Sequence, residues 1–165
     1  FPYTTLFRSG YENIAFFTEN PTNNSVRLNR RQGYLDAMKE LLSIDAKQLI
    51  YTIKPADKKS CAKAIEEFNS LYKNNMKAIF TVNGVILLSV LKGIQQCNYK
   101  IPEDFYVCGY EDWGWATLVY SEMPVIAQDT YKIGVESAKM LIKRINGKVG
   151  SKPMYKELED RKSVV

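Results

Sequence analysis

Histidine is absent from all 165 residues. Its absence removes Ser-His-Asp and Cys-His catalysis, the commonest general base near neutral pH and the commonest metal ligand. Cysteine is scarce as well: Cys61, Cys97 and Cys108 make an odd count without a Cys-x-x-Cys pair, which argues against both a disulfide framework and a zinc site. They are expected to be small, reduced core residues. No apolar run approaches the roughly 18 residues that span a bilayer, and no charged segment leads into an apolar one as in a secretory leader, so a cytoplasmic location is expected. The 9 glycines nowhere assemble into GxGxxG or a P-loop. Carboxylate pairs such as Glu66 and Glu67 lack a partner base, leaving acid–base catalysis without an address. The expectation is a protein that is not an enzyme, with no metal and no cofactor.

Present in quantity are the makings of one core: 45% of the chain is hydrophobic and 12% aromatic. The net charge of +5 is spread through Lys92, Lys100, Lys132, Lys139, Lys143 and Lys152 among acids and apolar residues, without a basic stripe. Direct DNA binding by this stretch is not expected.

Short apolar runs alternate with helical periodicity, the pattern of repeated βα units over a parallel sheet. Strands are predicted at Ile14 to Phe17, Leu49 to Ile53, Ala78 to Val82, Phe105 to Cys108, and Val125 to Ile126, with a short one in the tail after Met154. Between them lie a helix from Val26 to Ser43, a second with the stripe Cys61, Ile65, Phe68 and Tyr72, and a third from Asn83 through Ile94. The third is apolar around much of its girth and must be buried on more than one side. A last helix carries Gly134, Ala138, Leu141 and Ile145, with Gly147 placed to end it. The fold class read from this order is α/β, a doubly wound, mostly parallel sheet.

Ligands of such sheets bind beyond the carboxyl ends of the strands. Asn83 follows the third strand there, Glu111 the fourth, and Arg30 lies in the first turns of helix one near the same end. A guanidinium fork, an amide and a carboxylate match the donors and acceptors of a sugar, and Trp113 offers a ring face for its C–H surface. Taken singly, Arg30 reads as a solvated arginine, Asn83 as a helix cap, Glu111 as a turn residue and both Trp113 and Trp115 as packing.

Phe1 to Ser9 read FPYTTLFRS, the string that one frame of a widely used sequencing adapter encodes. Residues 1–9 are therefore expected to be a read-through artefact, with the true protein beginning upstream of Gly10; a genuine N-terminal strand is the alternative.

Five segments in register carry a family resemblance: RQGYLDAM from Arg31 preceded by Arg30, AIFTVNG from Ala78, IPEDFYVCGYED from Ile101, PVIAQDTYKIG from Pro124, and RKSV from Arg161. Together they resemble the effector-binding region of LacI/GalR-family transcriptional regulators, over residues 10–165. The resemblance implies a periplasmic-binding-protein-like fold of two lobes, the distal lobe complete (20–118 and 150–165) and the proximal lobe partial (10–18 and 124–147). It implies effector contacts at Arg30, Asn83, Glu111 and Gln128, and a homodimer interface at Leu88 and Val119. It further implies a small-molecule effector, a sugar or similar, and operator DNA bound only through an N-terminal helix-turn-helix absent from this stretch. Gly84 stands where the family has an aspartate, losing a cap and an acceptor; Glu111 is a methylene longer than the family's aspartate; Tyr11 replaces a histidine. A periplasmic sugar-binding component of a transporter, sharing the fold, is the alternative.

Overall fold

The computed structural model describes residues 10–20, 24–55, 57–110, 116–119, 123–147, 150, 152–158 and 161–163. The expectation for residues 1–9 falls outside them.

Strand β1 is Asn13–Thr18, β2 Ile50–Thr52, β3 Lys77–Thr81, β4 Tyr106–Tyr110, β5 Val125–Ala127 and β6 Arg161–Ser163. The helices are α1 Ser25–Leu42, α2 Lys58–Leu71, α3 Gly84–Gln96, the single turn α4 Ala116–Val119, and α5 Thr130–Ile145, with a 3-10 turn at Ala46–Leu49. One sheet runs in the order β2-β1-β3-β4-β5-β6, parallel except where β6 pairs antiparallel with β5. This is the doubly wound α/β class expected from the sequence.

Strand β1 lies between β2 and β3, with Phe16 level with both Ile50 and Phe80. Ile14, Ala15, Phe16 and Phe17 are all buried, and a run apolar on both faces is stable only in the interior of a sheet covered by helices on both sides. Strand β5 continues the same sheet through Gly109 opposite Val125.

Local chemistry sets the helix ends. Asn24, Asp57, Asn83 and Asp129 cap α1, α2, α3 and α5 by accepting backbone N–H groups of the first turn. Ser43 ends α1 in the left-handed region, with Ser43 N–H donating to the Lys39 carbonyl and Ile44 N–H to that of Met38, a Schellman arrangement. Gly147, at φ +67°, follows α5 as expected. Lys77 is buried, yet its ammonium donates to the carbonyls of Tyr72, Lys73 and Asn75 after α2, so no bare charge is left inside.

Phe68 of α2 is fully buried among Tyr51, Tyr72 and Phe105. Helix α3 is covered on two sides, by the sheet and by α2, as its composition required. At the crossing, a Cβ on Gly93 would sit 2.7 Å from Ile65 Cδ1 and 3.0 Å from Cys61 Sγ, so glycine sets the close approach. Val85 and Leu88 remain exposed on its third side. Helix α1 buries only Tyr34, Ala37 and Met38 and leaves Leu41 exposed. Helix α5 buries nothing among the described residues and leaves Leu141, Ile142 and Ile145 exposed. On its polar face Glu136 pairs with Lys156 of the tail and with Lys139 of the same helix, which hold that carboxyl down at about 2.

Truncating Phe68 empties the aromatic junction between α2 and the sheet. Phe68→Ala is expected to cost about 3–5 kcal/mol in urea unfolding followed by circular dichroism; a loss under about 1 kcal/mol would contradict this placement.

Candidate functional site

The connection from β1 runs through α1 to β2 on one side, and that from β2 returns through α2 to β3 on the other. The order therefore reverses between β1 and β3, and a crevice opens beyond their carboxyl ends. Glu19 follows β1 at that edge and Asn83 follows β3.

Asn83 is 6% exposed and spends both ends of its amide. Its Oδ1 accepts the Ile86 N–H at 3.0 Å, which caps α3, and its Nδ2 donates to Glu19 Oε1 at 2.9 Å. The cap that Gly84 was expected to forfeit is thus supplied by Asn83. The same Glu19 oxygen pairs with Arg27 Nη2 at 2.8 Å. One turn further along α1, Arg30 Nη1 donates to the Val82 carbonyl at 2.9 Å, and its guanidinium lies 3.6 Å from the centre of the Tyr110 ring, at the end of β4. Arg30 and Asn83, singled out from the sequence, are indeed brought to one edge, 52 and 64 residues from their respective partners Val82 and Glu19.

Two members of this cluster were missed. Glu19 supplies a carboxylate that sequence reasoning sought only at Glu111. Its signal was available: it is the first charged residue beyond a buried strand, as Asn83 is the first amide beyond another. Tyr110 lies beyond the Cys108 end predicted for the fourth strand, and only its position under Arg30 reveals the stacking. Glu111, Trp113 and Trp115 lie outside the described residues. Gln128 follows β5 at the same edge and is half-buried; among the described residues its side chain makes no bond to the cluster, and its carbonyl accepts the Thr130 N–H at 2.9 Å.

Leu88 and Val119 are 37% and 53% exposed and line one surface hollow of about 410 Å³ with Leu91, Ile94, Tyr99 and Ile101. The thiols are poorly suited to nucleophilic work. Burial pushes Cys61 up to about 12 and raises Cys108 and Cys97 from their usual range.

Over residues 3–164 the sequence matches the periplasmic binding protein-like domain. The chain belongs to that family. Among its relatives is the HTH-type transcriptional regulator KdgR of Bacillus subtilis, 27% identical over 154 residues, covering 93% of this chain and 45% of the relative. The probable maltose operon transcriptional repressor malR of Staphylococcus aureus has the same fold at a TM-score of 0.83 and 15% identity, over 98% of this chain and 55% of its own. A LacI family transcriptional regulator from Enterococcus faecium, solved with bound ribose, aligns at 0.76 and 22% identity over 96% of this chain and 57% of its own. The chain spans about half the length of the curated relatives it matches. The periplasmic-binding-protein-like fold expected from the five motifs is the fold found.

In this domain Asn83 has two duties that substitution can separate. Asn83→Ala removes the cap and the donor to Glu19 and is expected to cost about 1–2 kcal/mol in urea unfolding. Asn83→Ser keeps a capping oxygen and should recover roughly half of that; equal losses would show that the cap contributes nothing.

Proposed function

We propose that this domain is the effector-sensing part of a DNA-binding transcriptional repressor of the LacI type, taking a sugar or similar small polar molecule in the crevice between β1 and β3. The observation that carries the reading is the convergence of Arg30, Asn83, Glu19 and Tyr110 at the switch point. A planar donor fork, a carboxylate and an aromatic ring suit the hydroxyls and the C–H face of a saccharide. Glu111, Trp113 and Gln128 complete the proposed contacts. The ribose bound by the related regulator from Enterococcus faecium is consistent with this chemistry.

Operator DNA is contacted through a helix-turn-helix outside these residues, and the protein works in the cytoplasm as a homodimer without catalysing a reaction. The lines of support are the regulators among its relatives, the dispersed lysines and a chain in which no described helix is long and apolar enough to cross a membrane. The effector acts by binding one arrangement of the regulator better than another, since only a difference in affinity moves such an equilibrium. The dimer face is the exposed side of α3 with Val85 and Leu88, together with Val119 across the hollow.

Arg30→Ala in the intact regulator is expected to weaken sugar binding by about tenfold to a hundredfold in calorimetry, while operator binding persists. Unchanged affinity would remove Arg30 from the site. Leu88→Glu should convert the dimer to a monomer in sedimentation equilibrium, because a charge would be buried without a partner; an intact dimer would move the interface elsewhere.

A further inference from the structure

The polar groups at the switch point are not equivalent. Asn83 is buried and committed on both sides, to the α3 cap and to Glu19. Arg30 is braced against the Val82 carbonyl and the Tyr110 ring. Glu19 differs, because both of its partners, Asn83 Nδ2 at 2.9 Å and Arg27 Nη2 at 2.8 Å, converge on the single oxygen Oε1. Oε2 carries neither bond, and the side chain retains 21% of its surface exposed at the mouth of the crevice. Two fixed donors on one oxygen orient a carboxylate and leave the other oxygen to accept.

We propose that Glu19 is a direct effector contact and a specificity determinant, whose Oε2 accepts a hydroxyl hydrogen and whose charge biases the crevice toward uncharged polyhydroxylated molecules over their carboxylic acids. This rests on the effector reading above. A hydroxyl beside Oε2 donates to it, whereas a carboxylate in the same place has no hydrogen to offer and meets a like charge; such an unpaired, repelled arrangement is how a site rejects a near-isostere. Arg27 does not offset the repulsion, because Glu19 already answers its charge. Asn83 is then a positioning residue, holding Oε1 so that Oε2 faces the ligand.

The test is calorimetric titration of the intact regulator with ribose, cellobiose and the matched pairs glucose with glucuronate and galactose with galacturonate, for the parent, Glu19→Gln, Glu19→Asp and Arg30→Ala. Glu19→Gln should shift the acid-to-neutral affinity ratio of a matched pair toward the acid by about tenfold or more, and Glu19→Asp, which keeps the charge, should leave that ratio near the parent's. A ratio unchanged within about twofold in Glu19→Gln, alongside loss of binding in Arg30→Ala, overturns the role of Glu19 and leaves the effector reading standing. Failure of every compound to bind the parent protein overturns the effector reading, and this inference with it. Urea unfolding of each variant identifies any change of affinity that follows from lost stability alone.

Discussion

Strand β1 presents Ile14, Ala15, Phe16 and Phe17 in succession, all buried, so it needs a neighbour on each edge and a helical layer on each face. Placing it between β2 and β3 satisfies both demands and fixes everything downstream. The connections must leave on opposite sides, the order reverses next to β1, and the crevice opens where β1 and β3 end. Phe16 packs against Tyr34 of α1 and Phe80 of β3, while Phe17 stacks on Tyr51 of β2, which in turn meets Phe68 of α2. Tyr34 adds a hydrogen bond of 2.7 Å from its hydroxyl to the Ile14 carbonyl, and burial raises its own ionisation well above the usual range. The switch point between β1 and β3 is therefore a by-product of core packing.

The polar cluster on that edge adds little to stability. An ion pair such as Glu19 with Arg27, with side chains about a fifth and a third exposed, contributes on the order of 1 kcal/mol or less once screening is counted. The Arg30 contact with Tyr110 is of similar size, about 0.5–2 kcal/mol. What these contacts accomplish is arrangement: they hold donors and acceptors at the carboxyl edge of the sheet, which in the proposed effector site lowers the ordering cost of binding. Asn83 links the two scales, since the side chain that caps α3 also orients Glu19.

Much of this was legible in the residues. The strands and the longer helices announce themselves by apolar runs and helical stripes, because burial on a sheet and burial on one helix face impose different periods. Arg30 and Asn83 were recognisable from a rule of position, beyond strand ends, and from the family motifs around them. The strands that flank β1 were not legible, because periodicity says that a strand is buried without naming its neighbours. Glu19 was passed over because, beside Asn20 and Pro21, a charged residue reads as part of a turn.

By itself the sequence determined the class of fold, the want of histidine-based chemistry and the residue types available at the strand ends, because these depend on local pattern and composition. Tertiary structure alone decided which of those residues meet. Glu19 and Asn83 stand 64 positions apart, and Arg30 and Val82 stand 52 apart. Their bonds exist because parallel strands bring their carboxyl ends to one edge, and hydrogen bonding between strands settles the neighbours, a choice that no local pattern contains.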